Sequence, residues 1–244
     1  MQVIKYQESY SSQMIQEIMP KIFIILGLII LIFVLGFILP FKISVLKPYW
    51  WIIMFFAVFF IEPLVETVQS LREDLEFFKY GREGENKVLQ ILEESLDDNF
   101  TYITNYVIPN TRIGDIDGLL IGPKGIIILE IKNYAGIFRI SGGDMYRKIK
   151  GDVFKLYKKN PFKQIKKQKE YFEKFLREKG ICVKVTPIVV LVYGKIEKII
   201  GPTQVFITGA HQLPNHIFEL LLIPGWNLEL SNKILKALGV NRSL

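Results

Sequence analysis

Apolar residues are spread very unevenly along the chain. Residues 22–39 make an uncharged run of 18, bounded by Lys21 and Pro40. At about 1.5 Å per residue this run predicts a helix roughly 27 Å long, close to the thickness of a bilayer core. A loop over residues 40–48 follows. Tyr49, Trp50 and Trp51 then open a second apolar run that continues to Ile61. Aromatic residues at its start suit a membrane interface. This second run crosses a bilayer only if Glu62 and Pro63 sit at the far interface, and a re-entrant segment is the alternative. A cleaved signal peptide is disfavoured, because the first run begins late and lacks a small-residue exit. Residues 1–19 are polar and mixed, with no sharp period.

After the apolar runs, Leu64, Val68, Leu71, Leu75 and Phe78 recur at spacings of four and three. This heptad-like seam over residues 64–78 suits a homodimer contact, packing on the following domain, or the lipid surface. Residues 83–96 read as an amphipathic helix with Val88, Leu89, Leu92 and Leu96 on one stripe, which Glu85 extends inward at the helix start. Strands are expected at 100–108, 114–121, 126–132, 136–140, 145–150, 185–193 and 203–208, and helices at 161–179, 213–222 and 231–238. Pro161 marks a first helical turn, and Phe162, Ile165, Phe172, Phe175 and Leu176 define the inner face of its helix. Gln168 fills a gap in that apolar stripe, with Gln164 one turn before it. A mixed β-sheet flanked by helices, an α/β fold, follows from this alternation.

The most informative stretch is a hairpin. Ile116 to Ile121 and Ile126 to Ile131 are β-branched runs joined by Gly122-Pro123-Lys124-Gly125. With Pro123 and Lys124 at the turn, Ile121 faces Ile126, Asp117 faces Glu130, and Asp115 faces Lys132. Opposed like charges are destabilising on a sheet. Two carboxylates at the end of a buried hairpin therefore ask for a hard divalent cation, which takes oxygen ligands. Lys132 shares a face with Glu130 by strand alternation. The alternative is a salt-bridged strand end in which Lys132 neutralises Asp115.

Asp117 with Glu130-Ile131-Lys132 is the Asp…Glu-x-Lys pattern of the PD-(D/E)xK nucleases. Gly81-Arg82-Glu83-Gly84-Glu85, Asp115-Ile116-Asp117-Gly118, Gly125 through Asn133, and Asn160-Pro161-Phe162-Lys163-Gln164 together resemble the nuclease-related domain (NERD) family. The resemblance covers roughly residues 81–223. Gly118 departs from it, since the family often has His there. The resemblance implies a restriction-endonuclease-like fold and a cleavage site for nucleic acid. In that site Asp117, Glu130 and the Ile131 carbonyl would hold Mg²⁺ or Mn²⁺, with Glu85 as a further candidate ligand. Lys132 would position or deprotonate the attacking water, or neutralise the phosphate. Asp115 would orient Lys132, and Gln164 and Gln168 would support the metal site or the substrate strand. For Glu85 the alternative is an acidic first-turn residue complementing the helix dipole. For the two glutamines it is a partly exposed polar pair.

Charge and composition sharpen this picture. The formal net charge is +7, and residues 139–179 hold 14 Lys or Arg against 5 Asp or Glu. Such a strip, with Lys163, Lys166 and Lys167 among its members, suits nucleic-acid phosphates, DNA ahead of RNA. Attraction to anionic lipid is the alternative. One cysteine, Cys182, excludes an intrachain disulfide and zinc-ligand spacing, and His211 and His216 lie far from any acidic cluster. No repeat, low-complexity tract or phosphate-binding glycine loop is visible. The expected organisation is a polar segment at 1–19, a two-helix membrane anchor at 20–65, a helical linker at 66–80, a nuclease-like domain at 81–223 and a helical segment at 224–244. Lys5, Lys21, Arg72, Lys79 and Arg82 flank the outer ends of the two runs, against Lys42 and Lys47 between them. That distribution favours a multi-pass protein of the cell membrane whose domain faces the cytoplasm. A membrane-tethered, non-catalytic binding module on the same fold is the competing reading.

Overall fold

The computed structural model describes residues 1–38, 42–43 and 48–240. Most of the expected 40–48 loop, with Ser44 and Lys47, lies outside the described residues. The chain divides into two compact units, Tyr10–Tyr80 and the combination of Met1–Ser9 with Gly81–Leu244.

The Tyr10–Tyr80 unit is helical. Helix α1 (Tyr10–Phe33) passes into a π-helical turn at Val34–Ile38, and helix α2 runs unbroken over 46 residues, Trp50–Ser95, with Pro63 inside it. The second apolar run, the expected linker and the first helix of the domain are thus one continuous helix, about 69 Å long. Among the described residues, two helices are long and apolar enough to cross a membrane, Tyr10–Gly36 and Trp50–Ser95. Phe23, Ile30, Phe55 and Phe59 are each at least 64% exposed, unlike the side chains of a buried core helix. The seam at residues 64–78 is partly covered by its own chain. Leu75 is buried, and Phe78 meets the Tyr10 ring edge-on at 5.8 Å. This face is therefore less open to a second copy than its spacing suggested.

The other unit is an eight-stranded mixed sheet: β1 (Gln2–Lys5), β2 (Thr101–Val107), β3 (Asp115–Gly122), β4 (Gly125–Ser141), β5 (Asp144–Lys150), β6 (Val153–Leu156), β7 (Val185–Ile200) and β8 (Phe206–Gly209). β2, β3 and β4 are antiparallel neighbours, whereas β7 lies parallel to β4 and β8 parallel to β7. The distal half of β4 also pairs with β5, and β5 with β6. β1 adds in parallel to β2, with Gln2 facing Thr101 through Lys5 facing Thr104. A stretch without sequence period thus becomes part of the sheet, because four residues are too few to show alternation. The strands expected at 126–132 and 136–140 are one strand. Its register against β7 shifts between Lys132 and Ala135, and Gly136 (φ +121°) supplies the left-handed backbone there.

Helices cover both faces. Helix α3 (Phe162–Glu178) buries Phe162, Ile165, Phe172 and Leu176 in one core, joined by Ile234 and Leu235 of helix α5 (Leu228–Ala237). The other core takes Val88 and Leu92 of α2 and Leu96 just after it, with Leu213 and Ile217 of helix α4 (Leu213–Glu219). Lys124, in the central turn, donates to the carbonyls of Phe218 (2.7 Å) and Leu220 (2.5 Å), tying the hairpin to the end of α4.

Candidate functional site

Strand alternation assigns the side chains to faces. Ile126 and Ile128 point into the α3 core, whereas Ile127, Leu129 and Ile131 point into the opposite one. Glu130 and Lys132 therefore fall on the α3 face. On β3, Leu119 and Ile121 share that face, but Ile116 enters the same core, so the alternation breaks between Leu119 and Ile116, at the level of Asp117.

The hairpin register runs from Gly122–Gly125 through Ile121–Ile126 to Gly118–Leu129, as the turn residues imply. There the ladder ends. Asp117 does not pair with Glu130; its Oδ2 instead accepts the Ile131 N–H at 2.7 Å. A side-chain acceptor has replaced a backbone one, and the strands part where the carboxylates meet.

Glu130 is fully buried. The Lys132 ammonium lies 2.5 Å from its Oε1, yet neither Glu130 oxygen receives a hydrogen bond of normal geometry. Lys132 thus pairs with its strand neighbour two residues back, and the ion pair expected as an alternative, with Asp115, does not form. Gln168 is also fully buried. Its Nε2 donates to the Asp115 carbonyl at 2.8 Å, and its Oε1 has no partner. Glu85 is half-buried at the start of the domain portion of α2 and accepts from the Ser9 hydroxyl. Glu83 turns outward and accepts from the Tyr193 hydroxyl at 2.7 Å.

These placements produce strong electrostatic tension. Burial, followed by the Asp117 charge, pushes Glu130 up to about 8, while Lys132 and Gln168 pull it down. Burial, then Asp117 and Asp115, push Glu85 up to about 7. Asp117 is raised as well, chiefly by burial, against the pull of Lys132 and the Ile131 N–H. For Lys132, burial opposes the charge, but Asp117 and Glu130 outweigh it and hold the ammonium above the usual lysine range.

The expected site residues are not all brought together. Asp115, Asp117, Glu130, Lys132, Gln168 and Glu85 surround one region. Gln164, Lys163 and Lys167 are exposed on α3 and Lys166 is half-buried, with no bond or ion pair to the carboxylates among the described contacts. Gln164 and Gln168 differ because only position 168 falls within the buried stripe of the helix.

Three further residues belong to the site. Tyr102 projects across β2 so that its hydroxyl occupies the space where a Cβ on Gly118 would lie. Glycine at 118 is thus required by the tyrosine, and burial, then Asp117 and Glu85, hold the Tyr102 hydroxyl protonated. Asn105, between the Thr104–Gly118 and Tyr106–Ile116 pairs, lies across from Asp117 with φ +54° and is nearly buried. Left-handed backbone at a non-glycine strand residue is strained, and such strain collects at functional sites. The β-breaking asparagine inside Thr101-Tyr102-Ile103-Thr104-Asn105-Tyr106-Val107 is the signal that could have pointed to it. Ser9 carries no such signal.

Among the described residues, no three His, Cys, Asp or Glu side chains converge into a ready metal cluster. The donor set nevertheless suits a hard cation. Two orphaned oxygens of a buried glutamate adjoin an aspartate that has committed one oxygen to Ile131, and Mg²⁺ typically uses one or two carboxylates and retains waters. Residues 80–192 match the family model described as the nuclease-related domain. No curated protein and no solved structure matches the chain.

Proposed function

From the match of residues 80–192 to the nuclease-related domain model, we propose that the protein is a membrane-anchored, Mg²⁺- or Mn²⁺-dependent nuclease. It would hydrolyse phosphodiester bonds of nucleic acid, DNA ahead of RNA, with little sequence specificity, on a restriction-endonuclease-like fold. The observation that carries this reading is Glu130: a fully buried carboxylate beside Asp117, held against the Lys132 ammonium and with no hydrogen bond of normal geometry on either oxygen. Burying two neighbouring carboxylates against one ammonium is costly, and a bound cation would offset the remaining charge.

Asp117, Glu130 and the Ile131 carbonyl would hold the cation, with Glu85 as a further ligand. The chemistry supplied by a cation bound there is a lowered pKa for its water and neutralisation of charge on the phosphate oxygens. The chain's own residues do the rest. Lys132, kept protonated by its two acidic neighbours, is an ammonium donor to the phosphate or the attacking water, and not a base at neutral pH. Gln168 fixes the Asp115 carbonyl and so the end of β3, which carries Asp117. Exposed Lys163 and Lys167, with Lys166, would hold the phosphate backbone near the site.

The β1–β2 pairing supports a two-span anchor. Gln2–Lys5 and Thr101–Val107 share a sheet, hence one side of any membrane, so the chain between them would cross an even number of times. A single span followed by a re-entrant segment does not meet that condition. The flanking basic residues favour the cytoplasm as that side.

One observation favours the non-catalytic alternative: Lys132 already neutralises Glu130, and no three-ligand cluster is present among the described residues. Cleavage decides between the two. The full chain in detergent should cut plasmid or single-stranded DNA with Mg²⁺ or Mn²⁺ and not with EDTA, and Asp117→Asn, Glu130→Gln and Lys132→Ala should each abolish cutting. A folded wild type that binds DNA but never cuts it would establish the binding module instead.

A further inference from the structure

The basic strip at residues 139–179 divides in the fold between α3 and the β4–β5–β6 extension of the sheet. One face of that extension is closed, since Phe138, Ile140 and Met145 are fully buried in the α3 core. The other face is open. The cross-strand pairs Leu156–Tyr146, Tyr146–Arg139 and Arg139–Lys198 form one row on it, and Phe154–Lys148 begins the next. The Arg139 guanidinium sits 4.1 Å from the centre of the Phe154 ring and bonds Glu197 at 2.8 Å, while Lys148 reaches Glu197 at 3.1 Å.

Leu156 and Ile200 lie on this open face, whereas Val153 alternates to the other side of β6 and Ile149 sits at the register shift of β5, so the end of the hairpin is apolar on both sides. Leu156 is 57% exposed and Ile200 41%, and Ile149 and Val153, at the β5–β6 turn, are each 58% exposed. Lys150 ends β5, paired with Val153, and Lys198 faces Arg139 from β7. Neither forms an ion pair among the described residues, whereas Arg139 and Lys148 are committed to Glu197.

We propose that the β5–β6 hairpin, through Ile149, Val153, Leu156 and Ile200 with Lys150 and Lys198, docks on an anionic lipid surface. Aliphatic side chains decide between the two polyanions that lysines could attract. A phosphate backbone offers Ile, Val and Leu nothing, and nucleic-acid platforms use exposed aromatic rings, whereas on this face Tyr146 is half-buried and Phe154 is covered by Arg139. The headgroup–acyl boundary accepts aliphatic groups while its anionic lipids attract lysines, each contributing about 1 kcal/mol. The hairpin would thus add a second contact to the apolar helices. The strip is shared, with α3 left for nucleic acid.

This inference rests on the membrane-anchored reading but not on catalysis, so its failure leaves the cleavage reading intact. The test uses the full chain with Cys182→Ser, a single Val153→Cys carrying an environment-sensitive dye, and nanodiscs of phosphatidylcholine alone or in equimolar mixture with phosphatidylglycerol. Co-elution with the discs reports anchoring separately. The dye should shift to the blue and be quenched by spin-labelled lipid in the anionic discs alone, while a dye at Glu229→Cys stays unchanged. Lys150→Gln with Lys198→Gln should lower the docked-to-undocked ratio roughly 25-fold, fivefold for each charge. Ile149→Cys provides an independent position if Val153→Cys does not fold. A response to a DNA oligonucleotide and not to lipid would reassign the face to nucleic acid. Equal signals in both discs, or no response at either position, would also overturn the proposal.

Discussion

Replacing Glu130 by glutamine should stabilise the metal-free protein at alkaline pH and leave it nearly unchanged at mildly acidic pH. The reason is the direction of the pKa. In the unfolded chain Glu130 titrates near 4.5, whereas in the folded protein burial and Asp117 push it up to about 8. Between these values the folded state binds a proton that the unfolded state has lost. Stability therefore falls as pH rises through this window, and it is greatest at the acid end. Glu85, pushed up to about 7, contributes in the same direction over the lower part of the window. Lys132, raised above an already high value, stays charged in both states here and adds no slope. At about 1.4 kcal/mol per unit, Glu130 alone should cost up to roughly 4–5 kcal/mol across the full window, and somewhat less between pH 5 and pH 8. Half that figure would shift a melting temperature by roughly 4–10 °C in a domain of this size. The assay is thermal melting of the full chain in detergent with EDTA, wild type against Glu130→Gln, followed by circular dichroism at pH 5, 6.5 and 8. The wild type should lose stability across the series and the variant much less, so that the variant melts higher at pH 8. Saturating Mg²⁺ should flatten the wild-type profile without affecting the variant, because only the ionised carboxylate binds. A wild type whose stability is level or rises from pH 5 to pH 8, or a variant that melts lower at pH 8, would refute the reasoning and make Glu130–Lys132 a structural ion pair.

Other outcomes follow from the same placements. Gln168→Met leaves the buried Asp115 carbonyl unpaired and should cost about 1–3 kcal/mol, whereas exposed Gln164→Ala should stay within about 0.5 kcal/mol in the same chemical denaturation series. DNA affinity should fall with salt at a log–log slope of about −3 to −5 for four to six phosphate contacts, and charge reversal at Lys163, Lys166 and Lys167 should flatten it; an unaltered slope removes α3 from the interface. With Cys182→Ser, an impermeant thiol reagent applied to intact cells should label a cysteine at Ser44 and not one at Ser95. Labelling at Ser95 would place the site outside the cell.

How much of this was legible before the structure depends on the range of the interaction that decides each feature. The hairpin, its register and the buried stripe of α3 were readable, because turn residues and alternation are local. The departure at Asp117 was not. Extending the ladder by counting assumes that every backbone N–H seeks a strand partner, and here a side-chain carboxylate takes the one from Ile131. Glycine at 118 read as a missing polar group, but the missing volume is filled by Tyr102 from the neighbouring strand. The identity of the Lys132 partner was open for a similar reason: Asp115 and Glu130 are equally close by spacing, and only depth of burial separates them. Ser9 and β1 were invisible, since a four-residue strand owes its existence to the exposed edge of β2, almost a hundred residues away.

That last feature ties the first nine residues to the candidate site. The chain leaves the sheet unit at Ser9 and returns at Gly81, and the Ser9 hydroxyl donates to Glu85. Departure and return are thus held side by side, next to the carboxylates. A fragment starting at residue 81 lacks β1, bares the edge of β2 and leaves Glu85 without Ser9. A chain in which residues 10–80 are replaced by a short Gly/Ser linker keeps all three, and the bonded pair needs only a few residues to bridge it. This linked chain should therefore be monomeric, fold without detergent and melt above the 81–244 fragment, which should also aggregate through its open edge strand. Equal stability of the two, measured by thermal melting and light scattering, would mean that β1 is ornamental and that the site owes nothing to the first nine residues.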